Sequence, residues 1–301
     1  MRVEVLSVER LVFDDGTPVR AASALVEHDG GWLVAQDDAT HGALVRDGEV
    51  RPVRLLPPVE GHDRFSEAEG TKHLKPDLEA ACRTAAGALL LGSGSTPART
   101  RAVLVEPAGA VHVADLAPVH AAVRAELGLA PGELNLEGAC VVDGRLRWFQ
   151  RGLPAAGVPA AWVDLDLDAL VAAVLGGGAV PVGLLGTGVL DLGADLAVTD
   201  AVVLPDGGVL VSAATEDSAD TYADGPVGSA ALAVLDGTDV RALAPLPPVE
   251  GAVVKVEGVA LESWASSGAG GRLVATVDAD DADVPSLLLR LEVSGVPPQR
   301  A

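Results

Sequence analysis

Basic residues are scarce in this 301-residue chain, where 21 lysines and arginines face 43 aspartates and glutamates for a formal charge of −22. Such a surface repels phosphate backbones and anionic headgroups, so nucleic acid and membrane surfaces are excluded as partners. Cysteine is scarcer still. Cys82 and Cys140 are the only two, both inside apolar runs, which argues against a disulfide framework or a cysteine zinc site and predicts reduced, buried thiols. Long apolar runs are missing as well. The opening "MRVEVLSVERLVFDDG" alternates charged and apolar positions without an uninterrupted apolar core, so no secretory leader is legible and a cytoplasmic location is expected. One uncharged stretch, Ala169 to Leu190, is long enough to cross a bilayer, but Pro181 and six glycines break it into a short helix, a loop and a strand. Familiar catalytic motifs are absent too. "GSGST" lacks the Lys-Ser/Thr completion of a phosphate-binding loop, and the chain has no Gly-x-Ser-x-Gly elbow and no zincin histidine pair.

What the chain does contain is a repeat. "LNLEGACVVDGRLRWFQRG" at 134–152 reads as a strand, a tight turn and a second strand. The same plan recurs in "PDLEAACRTAAGALLLGSGS", "AVTDAVVLPDGGVLVSAATED", "VKVEGVALES" with "GGRLVATVDADD", and the more worn "RAASALVEHDGGWLVAQDD". Taking the leading residue of each first strand as a pivot gives Ser23, Glu79, Glu137, Asp200 and Glu257, spaced by 56, 58, 63 and 57 residues. Repeats of that length, built from short strands and glycine-rich turns, predict an all-β, single-domain, five-bladed β-propeller. The residue after each pivot is small (Ala24, Ala80, Gly138, Ala201, Gly258), as innermost strands crowding a narrow channel require. The last blade lacks a fourth strand, and the alternating "VEVLSVERLV" at the N-terminus can supply it and close the ring. Two short helical insertions interrupt the plan, "DLAPVHAAVRAELG" and "DLDALVAAVLGGG". The first could roof one face of the ring or pack against its outside.

First strands line a propeller's channel, so the pivots are expected to form a ring at one mouth, joined there by the ends of the second strands, such as Asp37, Asp38, Arg151 and Asp278. Facing carboxylates cannot all ionise cheaply in a partly dry pocket. A hard cation, lysine ammonium groups or protonation must compensate them. The chain has three lysines, Lys72, Lys75 and Lys255, each shortly before a pivot carboxylate, where a compact charge is wanted either for substrate or for internal ion pairing. His73 is the one histidine near this group and a candidate general base or ligand. "ATEDSADTYADGP" and "VDADDADVP" are acidic loops brought to the same mouth; neither has EF-hand spacing.

On "DLEAAC", "NLEGAC", "TDAVVLPDGG" and "KVEGVALES", with "EDSADTYADGP" and "DADDADVPS", the chain resembles a bacterial propeller family of unknown function over nearly its full length. More loosely it is similar to phytase-like esterase, SdiA-regulated and calcium-dependent lactonase propellers. Those relatives imply a metal held by carboxylates at the channel end and hydrolysis of phosphoesters or lactones. The expectation is therefore a metal-assisted hydrolase of a small anionic ester, lactone or phosphoester. Glu79, Glu137, Asp200 and Glu257 would hold a divalent ion, calcium foremost, and Glu137, His73, Lys72, Lys75 and Lys255 would serve catalysis. The rival expectation is a binding propeller that turns nothing over and takes a small ligand or basic peptide beside a structural carboxylate–lysine ring.

Overall fold

The computed structural model describes residues 1–177, 182–193, 195–216, 227–266, 268–279, 281 and 283–299. Asp217, Asp220, Tyr222, Asp224 and Asp280, singled out in the acidic loops, lie outside them. After an opening strand β1 (Arg2–Arg10), the first blade comprises β2 (Ala22–His28), β3 (Gly31–Gln36), β4 (His41–Arg46) and β5 (Glu49–Arg54). The second comprises β6 (Leu78–Thr84), β7 (Gly87–Gly92), β8 (Arg101–Val105) and β9 (Val111–Asp115). Helix α1 (Ala117–Glu126) leads to the third, built of β10 (Leu136–Val142), β11 (Arg145–Gln150), β12 (Ala160–Asp166) and, after α2 (Leu167–Leu175), β13 (Leu184–Leu190). The fourth holds β14 (Ala197–Val203), β15 (Val209–Glu216), β16 (Val227–Asp236) and β17 (Asp239–Pro245). The fifth holds β18 (Val256–Trp264), β19 (Gly270–Val277) and β20 (Leu287–Ser294). Its fourth strand is β1, paired antiparallel to β20 from Arg2 opposite Ser294 to Arg10 opposite Leu287. The five-bladed, all-β reading and its closure by the N-terminal strand are what the structure contains.

Local chemistry accounts for the hairpins. Asp29-Gly30, Asp47-Gly48 and Asp143-Gly144 each form a two-residue turn with both residues at positive φ, the type I′ geometry whose twist matches antiparallel strands. The inner strands β2, β6, β10, β14 and β18 touch in sequence around the ring, β18 returning to β2. Apolar clusters fill the seams between blades. The largest includes Trp148, fully buried, with Val119 and Val123 of α1 and Leu170 and Val174 of α2, so both helices are pinned at the seam of the second and third blades. Asp115 lies two residues before the start of α1, where its Oδ1 accepts the Ala117 N–H at 2.9 Å, and Asp166 caps α2 by accepting from Ala169. No helix among the described residues is long and apolar enough to cross a membrane.

Candidate functional site

Each inner strand carries an irregularity near its start where pairing with the second strand slips. The residues passed over are Ser23, Glu79, Glu137 with Gly138, Thr199 and Glu257. Bulges of this kind re-aim a side chain, and here they turn the ring residues out of the ladder at one end of the channel. The fourth member is therefore Thr199 and not Asp200. Ser23 and Thr199 occupy matching places and behave alike, each hydroxyl donating at 2.6 Å to the carbonyl that opens the next inner strand, Leu78 or Val256. The ring is thus three carboxylates and two hydroxyl staples.

Asp200 takes the position expected to be small and lies deeper. Its Oδ2 accepts the Val259 N–H at 2.6 Å, a bond from the fourth blade to the fifth. Gly138 of the third blade makes room for it, since a Cβ there would stand 2.7 Å from the Asp200 Cα. Burial pushes the Asp200 carboxyl well above the usual carboxylate range, against the backbone N–H of Val259. Asp200 is a staple inside the channel and does not line the mouth.

At the mouth, six carboxyls (Asp37, Asp77, Glu79, Glu137, Glu257, Asp278) share a cleft of about 40 Å³ with Lys75, Arg99, Arg151 and Lys255. Main-chain bonds tie the edge together, Asp77 N–H donating to Asp37 O, Ser93 N–H to Asp77 O and Leu136 N–H to Ser93 O. Asp77 is held in the left-handed region at φ 57°, which aspartate tolerates better than most residues. The Lys75 ammonium bridges Asp37 and Asp77, 3.0 Å from the Asp77 Oδ1, while Arg99 stands 3.0 Å from Oδ2. Farther round, Arg151 lies 3.0 Å and Asn135 Nδ2 2.7 Å from the Glu137 Oε1, and Lys255 lies 2.7 Å from Glu257. Asp278 accepts from the Ala21 N–H at 2.8 Å and the Ser286 hydroxyl at 3.0 Å.

These surroundings split the carboxyls into two kinds. Asp77 is fully buried, yet Lys75, Arg99 and the Ser93 hydroxyl outweigh that burial and hold its carboxyl below the usual range. Asp37 is pushed up to about 7 by burial and by Asp77 and Asp38, with Lys75 opposing. Glu79 goes well above its ordinary value through burial and the charges of Asp77 and Asp37. The Lys75 ammonium is raised despite burial by Asp37, Asp77 and Glu79. A carboxyl held low, one pushed well up and one near 7 therefore stand side by side.

Asp37, Asp77 and Glu79 bring carboxylate oxygens within 4.8 Å of one another, the donor chemistry of a hard cation such as calcium. The Lys75 ammonium already engages two of these three groups, so a divalent ion does not fit there alongside it. Of the four predicted ligands, Glu79 alone belongs to this triad. Lys72 pairs with Glu67 at 2.9 Å, outside the cleft lining, and His73 is exposed on the same short turn. Asp77 and Asn135 lie inside the repeats, two residues before Glu79 and Glu137 as Lys255 lies before Glu257, a shared position that attention to the pivots alone passed over; Arg99 follows its repeat.

The chain resembles several solved structures at low identity. Glutaminyl cyclase from Myxococcus xanthus is 14% identical over 97% of each chain, with a TM-score of 0.49. A hypothetical protein from Leishmania major is 15% identical over 98% of this chain and 96% of its own, with a TM-score of 0.47. A putative gluconolactonase is 11% identical over 97% and 94%, with a TM-score of 0.43. No curated protein matches. A family model matches residues 71–282, from the loop carrying Lys75 into the fifth blade, and by that match the chain belongs to a family of unknown function, DUF6910.

Proposed function

We propose that the polar mouth is the active site of a hydrolase acting on a small ester, lactone or phosphoester by general acid–base catalysis. One observation carries this reading: Glu79, whose carboxyl is pushed well above its ordinary range by burial and by Asp77 and Asp37, shares the cleft with Asp37, pushed up to about 7. A carboxyl near 7 gives and takes protons effectively at neutral pH, and a raised neighbour is the better proton donor of the two. In the step we infer, Asp37 takes a proton from a water, the resulting hydroxide attacks the acyl carbon or phosphorus, and Glu79 gives its proton to the departing oxygen. Lys75 fixes Asp37 and Asp77, and Arg151 and Lys255 add positive charge for an anionic substrate. At roughly 10–15 Å³ per water, the 40 Å³ cleft admits about three, so the reacting bond enters and the remainder of the substrate stays outside. No divalent ion takes part in this step.

The test is a panel of aryl esters, lactones and phosphoesters assayed with and without chelator. Glu79→Gln should keep the fold and lose about 100-fold or more in kcat/KM, the usual scale of a lost proton donor. Activity retained in that variant, or abolished by chelator, sinks the proposal. A second reading has its own support, because Arg99, Arg151 and Lys255 already pair with carboxylates of the same chain. The mouth would then be a binding site braced by a structural ring. A well-folded protein inert towards the whole panel would favour it.

A further inference from the structure

The inner strands run from the polar mouth to the opposite end of the channel, and there the chemistry changes. Two residues beyond the ring members stand Leu25, Ala81, Ala139, Ala201 and Val259, all apolar and no more than 5% exposed. Two residues farther stand Glu27, Arg83, Val141, Val203 and Leu261, so successive same-face positions make two tiers. Three members of the outer tier are apolar and the other two neutralise each other, Arg83 Nη1 lying 2.6 Å from the Glu27 carboxylate. Trp32 and the two cysteines complete the wall of a cavity of about 270 Å³. Burial pushes the Cys82 thiol up to about 12, and Cys140 is raised as well, so both add only soft, uncharged surface.

We propose that this cup is a second ligand site, independent of the polar mouth, that takes a small uncharged apolar molecule. Asp200 stands between the two, its carboxyl bonded across to the fifth blade. The space exceeds the roughly 150 Å³ apolar cavity known to hold benzene, and its wall has the composition of small-molecule sites, mostly apolar with few polar groups. The inner tier is no more than 5% exposed, which suits a small molecule better than a flat protein surface. A charged ligand would find no free counter-charge in a rim where Glu27 and Arg83 satisfy one another.

Aliphatic alcohols from hexanol to decanol, titrated into the full chain by calorimetry, test the idea. Saturable one-to-one binding is expected, tightening about fourfold per added methylene until the cup is full. A change in tryptophan emission should accompany it and vanish in Trp32→Phe while the heat of binding remains. Val203→Arg and, as a second rim variant, Leu261→Arg should weaken binding at least tenfold with melting unchanged, whereas Glu79→Gln should leave it intact. No saturable binding at millimolar alcohol, folded rim variants that bind like wild type, or loss of binding in Glu79→Gln would each overturn the proposal. The last outcome would place the alcohol in the polar mouth.

Discussion

Lys75, held between Asp37 and Asp77, does what a bound cation does in other acidic pockets, and its removal tests how far the comparison goes. Lys75→Met leaves a three-carboxylate cluster with no ammonium, and calcium should then bind at least tenfold more tightly than to wild type, read by calorimetry. Equal affinity in both proteins would contradict the assignment of Lys75 as the resident counter-charge. The raised carboxyls predict a pH dependence with a definite sign. Asp37 releases its proton near 3.8 when unfolded and near 7 when folded, so the folded state binds that proton more tightly. Its stabilising share is complete below about 4 and is lost as pH rises through 7, and Glu79 acts in the same direction. Asp63, pulled down to about 2 by Arg54 and Thr40, works oppositely but only below about 4. Asp37 and Glu79 therefore pull the melting temperature down as pH rises from 4 to 7, while His28, His41 and His120, lowered by desolvation, pull it up over the part of that range below about 6.5. Asp37→Asn should make the slope more positive, and a slope identical to wild type would count against the assignment.

For the inner strands, close approach is what the sequence had to solve. Gly138 sits at φ 75° with the Asp200 backbone 2.7 Å from where a Cβ would be, so Gly138→Ala combines backbone strain with a clash against a neighbouring blade. A loss of roughly 2–4 kcal/mol is expected in denaturant unfolding, against a few tenths for Gly144→Ala's neighbour-free site beyond its own turn strain. The strands, turns and blade count were legible because alternation and Asp-Gly turns are local signals. Thr199 against Asp200 was not legible, since a bulge shifts the facing of every later residue by one and two adjacent polar residues fit the pattern equally. The even spacing of a hydroxyl at Ser23 and Thr199 was the available clue. Lys75, Glu79, Glu137 and Glu257 were placed at the mouth from sequence; Asp77 shares with Asn135 and Lys255 the place two residues before a pivot, a period that the pivots alone did not reveal, while Arg99 reaches the mouth through loop geometry that no period encodes.

The whole ring depends on β1, whose partner β20 lies at the other end of the chain. Deleting residues 2–10 leaves the β20 edge open, and the shortened protein should lose its cooperative melt and associate on size-exclusion chromatography. A truncated monomer that melts like wild type would show that closure contributes little. The same pairing sets an order of events during synthesis. Arg10 leaves the ribosome 277 residues ahead of its partner Leu287, which at about 5–20 residues per second is a delay on the order of 15–55 s. Through that interval β1 lacks its β20 partner, while the blades after it can form one by one. The alternating charges of "RVEVLSVER" disfavour pairing with other open edges, which suits a strand that waits for a partner made much later.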